Sequence, residues 1–169
     1  MKKLLIVSVV FLFLLGCTTT KTVWKSTPEI PVLQKEMYSI SLKAICGKGH
    51  WGCTGFIFRI QNNLDKEIQI DWNKTLFIEN GQTNGNFIYP GIMYMQRHSP
   101  RTNDVIMAKG RFEKQIKPTN HVYYSEGWGN RRWKQGNYGV YFTFIIDGQE
   151  VHEKVMMDVT KEKITTKVF

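Results

Sequence analysis

The chain has 169 residues and a formal net charge of +9, a length that favours one folded domain and argues against several. Without the lysines at positions 2 and 3 the charge is +7, because 21 basic residues remain against 14 acidic ones. This excess is spread along the chain and is not a terminal tail. It favours contact with anionic surfaces such as lipid headgroups or acidic glycans, although ordinary solubility is the simpler interpretation.

The N-terminal segment reads MKKLLIVSVVFLFLLGC. Lys2 and Lys3 precede an uncharged apolar run over residues 4–15, and a small residue stands just before Cys17. This layout is typical of a secretory signal. The segment Leu-Leu-Gly-Cys at its end resembles the lipobox of bacterial lipoproteins, the class processed by signal peptidase II. An uncleaved membrane anchor is the alternative, but the run is shorter than the roughly 18–20 apolar residues that a spanning helix needs.

The resemblance implies that residues 1–16 are removed as a signal peptide and that a lipid such as palmitate is attached to Cys17. It also implies a place at the outer membrane facing the periplasm, because Thr18 is not the Asp that marks inner-membrane retention in this family. An exported, lipidated chain meets little nucleic acid. We therefore expect the membrane as a partner, through the lipid anchor, and no nucleic acid.

Two further cysteines, Cys46 and Cys53, form an even pair in an oxidising compartment, which predicts a disulfide. Six residues, GKGHWG, separate them, and three of these are glycines that allow a tight turn. A metal site using Cys46, His50 and Cys53 is the alternative. It lacks a fourth ligand at a recognisable spacing, so no metal site is predicted.

The mature chain divides into two parts. Residues 17–36 hold Thr, Lys and two prolines with little periodic hydrophobicity, and they are predicted to be a lipidated Cys followed by a flexible tether. Residues 37–169 are predicted to form a single β domain. Alternation of apolar and polar residues over 37–46, 55–61 and 67–72 indicates half-buried antiparallel strands.

Further strands are expected along the rest of the chain, at 76–79, 87–89, 122–124, 138–146 and 151–159. The last two form a hairpin around Asp147-Gly148. Ile92 to Met95 is a candidate strand in a segment that is harder to interpret, and 161–169 is expected to be a tail. Short strands with turn signals between them predict an all-β antiparallel sandwich resembling the immunoglobulin architecture, with a small lipocalin-like barrel as the alternative.

No arrangement typical of an enzyme is present. There is no Gly-x-Ser-x-Gly elbow, no His-x-x-x-His pair and no phosphate-binding glycine loop between a strand and a helix. The four histidines are scattered and are interpreted as surface or loop residues: His50, His98, His121 and His152. The chain is therefore not predicted to be an enzyme or to bind a cofactor.

One stretch indicates a binding site. A glycine-rich connection carries two indoles and three cations: Trp128, Arg131, Arg132, Trp133 and Lys134. Flat rings stack on sugars, arginine forms bidentate bonds with carboxylate or phosphate, and both residue types dominate protein interfaces. The loop over 47–52 is a second candidate of the same kind. The alternative is that the tryptophans fold back on the sheet, since large aromatic residues usually bury.

These observations predict a membrane-anchored, non-catalytic envelope module that binds an envelope protein or a glycan. A glycan- or lipid-binding carrier is one alternative, and an internal cavity would favour it. An enzyme inhibitor is another. Its known lipoprotein examples act on lysozyme, a basic target that a +7 chain would repel.

Overall fold

The computed structural model describes residues 17–47, 52–124 and 128–168. Across these ranges the secondary structure is almost entirely β, with two single-turn 3-10 helices at Tyr94–Gln96 and Thr119–His121. None of the helices in these ranges is long and apolar enough to cross a bilayer. The strands are β1 (Cys17–Thr27), β2 (Val32–Gln34), β3 (Tyr38–Cys46), β4 (Cys53–Asn62), β5 (Ile68–Ile70), β6 (Leu76–Glu79), β7 (Gln82–Thr83), β8 (Phe87–Ile88), β9 (Asp104–Ile106), β10 (Arg111–Pro118), β11 (Val122–Tyr124), β12 (Trp128–Asn130), β13 (Gly136–Ile146) and β14 (Gln149–Val168).

The strands form two main antiparallel sheets and one small hairpin. The first sheet has the order β1-β14-β13-β5-β9, and it also holds β6, which pairs with β13, and β7, which pairs with β6. The second has the order β2-β3-β4-β10-β8, and β11 pairs with β12 by itself. The predicted all-β antiparallel fold is confirmed.

The core lies between the two main sheets, whose facing side chains interdigitate. The ring of Phe58 in β4 lies 4.6 Å from that of Phe142 in β13, and Tyr38 in β3 lies 5.7 Å from Phe144. Of the alternating apolar residues predicted for β3 and β4, Ala44 and Cys46 are half-buried and the others are buried: Tyr38, Ile40, Leu42, Phe56, Phe58 and Ile60. Since each fully buried side chain of this size contributes roughly 1.5–3 kcal/mol, this layer accounts for the packing of one sheet on the other.

The hairpin of β13 and β14 confirms the clearest prediction from the sequence. The two strands pair from Gly136 opposite Val159 to Ile146 opposite Gln149. Asp147 and Gly148 between them have φ values of 53° and 73°. Both residues thus adopt the left-handed conformation that a two-residue hairpin turn requires, for which Asp-Gly is a preferred pair.

The structure differs from the predicted flexible tether over 17–36. β1 pairs along its whole length with the second half of β14, from Cys17 opposite Val168 to Thr27 opposite Asp158, and β2 pairs with β3. The predicted tail over 161–169 is likewise a strand through Val168. Thr and Val are β-branched and favour extended chain, so this threonine-rich segment becomes a strand once it has a partner. The β domain therefore begins at Cys17, not at residue 37.

Part of β1 and β14 extends beyond the rest of the first sheet. β13 stops pairing with β14 at Val159, so residues 160–168 pair only with residues 17–25. We call this two-stranded extension the ribbon. At about 3.3 Å per residue it is roughly 26 Å long.

The prediction of a candidate strand over Ile92 to Met95 is wrong, because this segment forms part of the first 3-10 helix and the loop before it. The guanidinium group of Arg101 donates hydrogen bonds to the carbonyl oxygens of Gln96, Arg97 and Ser99 at 2.9, 2.7 and 2.6 Å. A side chain thus satisfies backbone acceptors that a neighbouring strand would otherwise have paired. The segment closes on itself and joins no sheet.

The predicted disulfide between Cys46 and Cys53 is confirmed. It links the last residue of β3 to the first residue of β4. Replacing both cysteines with alanine is expected to lower the free energy of unfolding by about 2.5 kcal/mol, because a closed loop of this size restricts the unfolded chain. Urea unfolding of the oxidised protein and the double variant measures the difference. Equal unfolding midpoints would contradict it.

Candidate functional site

The predicted binding stretch joins β12 to β13 at the end of the sandwich from which the ribbon leaves. The backbone N–H of Arg131 donates to the carbonyl oxygen of His121 at 2.6 Å, and that of Trp133 donates to Cys53 at 2.8 Å. The N–H of Lys161, at the base of the ribbon, donates to Oε1 of Gln135 at 3.2 Å. Three separate parts of the fold therefore hold residues 131–135 in place.

Gly52, the last residue of the second candidate loop over 47–52, lies against the same stretch. A Cβ built on Gly52 would lie 2.9 Å from the carbonyl oxygen of Trp133, so only glycine allows this approach. Lys48, His50 and Trp51 lie outside the described residues. The structure thus places one end of the second candidate loop beside the first candidate site, which the sequence analysis treated as separate.

Trp133 is not a surface residue, and its predicted role as a partner contact is wrong. Its side chain is 2% exposed. The indole stacks on Tyr138 with ring centroids 4.6 Å apart and also packs 4.7 Å from Phe56 and 5.7 Å from Phe77. The alternative interpretation, in which the tryptophan folds back on the sheet, is the correct one for this residue. The side chain of Trp128 lies outside the described part of the structure.

The three cations of the stretch all remain at the surface. Arg131, Arg132 and Lys134 are exposed, and the side chain of Arg131 is 55% exposed although its Nη2 lies 3.5 Å from Oε1 of Glu79. The Tyr138 hydroxyl donates to the carbonyl oxygen of Lys134 at 3.0 Å and fixes the backbone there. The buried Trp133 therefore holds the segment that carries these three exposed cations, and it is not itself part of the contact surface.

A buried acid–histidine pair lies beneath Arg131. The Glu79 carboxylate accepts a hydrogen bond from Nδ2 of Asn84 at 2.6 Å and lies 3.2 Å from Nε2 of His121. Since a carboxylate only accepts, Nε2 of the neutral ring carries the proton. Burial lowers the pKa of His121, Glu79 opposes that change by raising the pKa, and Arg131 lowers it further. The histidine is therefore neutral at physiological pH.

His121 is only 1% exposed, so its interpretation as a surface or loop histidine is wrong. Its ring packs edge-on against Phe77 at 5.2 Å. Sequence reasoning missed the pair with Glu79 because the two residues are 42 positions apart and no spacing rule connects them. By contrast, His98 and His152 are exposed, as predicted.

Within residues 17–47, 52–124 and 128–168, no group of three or more His, Cys, Asp or Glu side chains is arranged to hold a metal ion. The sulfur atoms of Cys46 and Cys53 are bonded to each other in the disulfide, so neither cysteine can act as a thiolate ligand. The third residue of the alternative metal site, His50, lies outside the described ranges.

The fold and the site together define an antiparallel β-sandwich that carries a two-stranded ribbon and a group of exposed cations at the same end. Comparison of the chain with known protein families and with curated proteins found no match in either case.

Proposed function

We propose that this protein is a lipid-anchored bacterial envelope protein that works by binding and not by catalysis. In this proposal the lipid is attached to Cys17, the protein sits at the outer membrane facing the periplasm, and Arg131, Arg132 and Lys134 contact an envelope protein or a glycan. The observation that carries the proposal is the position of these cations at the end of the sandwich from which the ribbon, and with it Cys17, extends.

The ribbon makes the connection between an anchor at Cys17 and the sandwich an ordered one, where a flexible tether was predicted. A flexible coil lets a domain diffuse in any orientation, whereas strands paired residue by residue have a defined direction. An anchor at the far end of a ribbon about 26 Å long would hold the cationic end of the sandwich within about that distance of the bilayer. The geometry thus favours a partner that lies in the membrane or close to it.

The interior of the sandwich favours surface binding over the carrier alternative. Large aromatic side chains fill the space between the sheets, among them Phe58 against Phe142 and Trp133 against Tyr138, each pair 4.6 Å apart. A ligand carrier of lipocalin kind would need this space for its ligand. The exposed cations are therefore the better candidate for the working surface.

Replacing Cys17 with serine is expected to move the protein from the membrane fraction to the soluble fraction, because serine cannot accept the thioether-linked lipid. Thr19→Ser, in the same strand, is the matched control and should leave the protein in membranes. Fractionation of cells followed by immunoblotting measures both. A Cys17→Ser protein that stays with membranes would contradict the anchor.

The triple change Arg131→Ala, Arg132→Ala and Lys134→Ala is expected to reduce a partner crosslinked in the native envelope by at least tenfold, an order of magnitude typical of interface hot spots. The matched control removes three lysines near the other end of the sandwich, Lys66, Lys74 and Lys109. Thermal melting confirms that both variants fold. Equal recovery of the partner from the two variants would remove the proposed surface.

A further inference from the structure

The two faces of the ribbon differ in chemistry. In an antiparallel pair, residues opposite each other share a face, and so do alternate residues along each strand. One face carries Lys161, Lys163 and Thr165 from β14 with Thr20, Thr22 and Trp24 from β1. Contacts confirm this arrangement: Nζ of Lys161 lies 5.9 Å from the centre of the Trp24 ring, and the hydroxyls of Thr20 and Thr165 are 3.4 Å apart. We call these six residues the lysine–threonine face.

The opposite face of the ribbon is less positive. It carries two cations, Lys21 and Lys25, and one acid, Glu162. Lys25 and Glu162 form an ion pair at 2.6 Å. The lysine–threonine face, in contrast, has two lysines and no acid among its described residues. The ribbon therefore carries more net positive charge on its lysine–threonine face than on the opposite face.

The lysine–threonine face continues the core-facing side of β14. Val155, Met157 and Val159 on that side are buried, whereas Lys161 and Lys163, the next residues in the alternation, are exposed. The second sheet reaches only the base of the ribbon, where Trp24 packs against the core, and the face beyond it is open to solvent at Lys161, Lys163 and Thr20. A two-stranded ribbon alone in water is marginally stable, and a surface to lie on would stabilise it.

We propose that the lysine–threonine face binds anionic phospholipid headgroups, so that the ribbon lies along the bilayer. The proposal rests on the anchor proposed for Cys17, which would bring the end of the ribbon to the membrane. The ammonium groups of Lys161 and Lys163 would neutralise headgroup phosphates, and the hydroxyls of Thr20 and Thr22 would donate hydrogen bonds to phosphate oxygens.

A vesicle assay tests the face without depending on the anchor. The Cys17→Ser protein without its first 16 residues is mixed with neutral phosphatidylcholine vesicles, or with vesicles that also hold one quarter phosphatidylglycerol, at low salt. Binding is measured by flotation. We expect binding to the anionic vesicles only, and we expect Lys161→Gln with Lys163→Gln to weaken it about 25-fold, since each lysine near an anionic surface contributes about fivefold.

The matched control is Lys66→Gln with Lys74→Gln, which removes the same charge near the far end of the sandwich and should change binding less than about twofold. Both lysines form exposed ion pairs, with Asp147 and Glu150, whose loss has little effect on stability. Equal weakening by the two double variants would overturn the proposal, because net charge alone would then explain binding. Equal binding to neutral vesicles would also overturn it.

A second measurement uses the full lipidated protein. In anionic proteoliposomes, amine acylation read by mass spectrometry should label Lys161 and Lys163 at least fivefold more slowly than in neutral ones, while the labelling of Lys66 and Lys74 stays unchanged. Labelling that does not respond to the headgroup overturns the proposal even if Cys17 is the anchor. If the Cys17→Ser protein stays in cell membranes, the proposed anchor at Cys17 is wrong. The flotation assay still tests whether the lysine–threonine face binds anionic lipid, because it uses the protein without a lipid. Binding to a soluble anionic glycan without binding to vesicles would assign the face to glycan and overturn the lipid proposal.

Discussion

Replacing Trp133 with alanine is expected to lower the free energy of unfolding by about 3–5 kcal/mol, the largest stability effect that we predict for this protein. The indole is 2% exposed and contacts the rings of Phe56, Phe77 and Tyr138. Alanine would leave a cavity among three aromatic rings, which relax only partly to fill it. The backbone N–H of Trp133 donates to the carbonyl oxygen of Cys53, so the position of the 131–135 segment also depends on this packing.

Urea unfolding followed by circular dichroism measures this loss, and Trp133→Phe is the matched variant. Phenylalanine keeps a ring in the stack, and the indole N–H that it removes has no hydrogen-bond partner among the described residues. We therefore expect Trp133→Phe to cost less than half as much as Trp133→Ala. A Trp133→Ala protein that unfolds like the wild type but loses its partner would show instead that the ring belongs to the contact surface.

Replacing Glu79 with alanine is expected to have the second largest effect and to lower the free energy of unfolding by about 3 kcal/mol. The carboxylate pairs with His121, Asn84 and Arg131, and its side chain is only 15% exposed. Removing it leaves the buried imidazole N–H of His121 without its acceptor, which costs about 1–3 kcal/mol, and also removes the hydrogen bond from the half-buried amide of Asn84. Glu113→Ala is the matched control, since Glu113 forms an exposed pair with Arg59 that contributes little.

The same pair predicts how stability depends on pH. The folded-state pKa of His121 lies below its ordinary value of 6.5, mainly because of burial. The unfolded chain therefore binds a proton more readily, so the contribution of this group is fully present above about pH 6.5 and is lost as the pH falls through the folded-state pKa. Urea unfolding between pH 8 and pH 5 should show this decline, and His121→Gln should reduce it. An unchanged slope in His121→Gln would contradict the assignment.

Much of the fold could be predicted because its strongest signals are local. Alternation of apolar and polar residues placed Ile40, Leu42 and Phe58 on the buried face, and Asp147-Gly148 placed the main hairpin. These signals depend only on neighbouring residues and on the period of two in a strand. The disulfide was predictable for a similar reason, because a short glycine-rich loop separates its two cysteines.

Long-range pairing could not be predicted in the same way. β1 carries polar residues on both faces, so nothing in its pattern indicates a strand until β14 is placed beside it. Trp133 belongs to no strand, and alternation therefore cannot tell whether its ring points inwards or outwards. Glu79 and His121 meet only because the fold places β6 next to the second 3-10 helix, an arrangement that no local pattern encodes.

The division of β14 between two partners has a consequence for the order in which the strands pair. Its first half pairs with β13, its immediate predecessor in the chain, whereas its second half pairs with the strand that begins at Cys17. A chain that emerges N-terminus first would expose β1 long before its partner arrives, and contacts between distant segments form slowly. The sandwich would then assemble first and the N-terminal strand would dock last, so that in the proposed lipoprotein Cys17 would stay accessible to processing enzymes until synthesis is nearly complete.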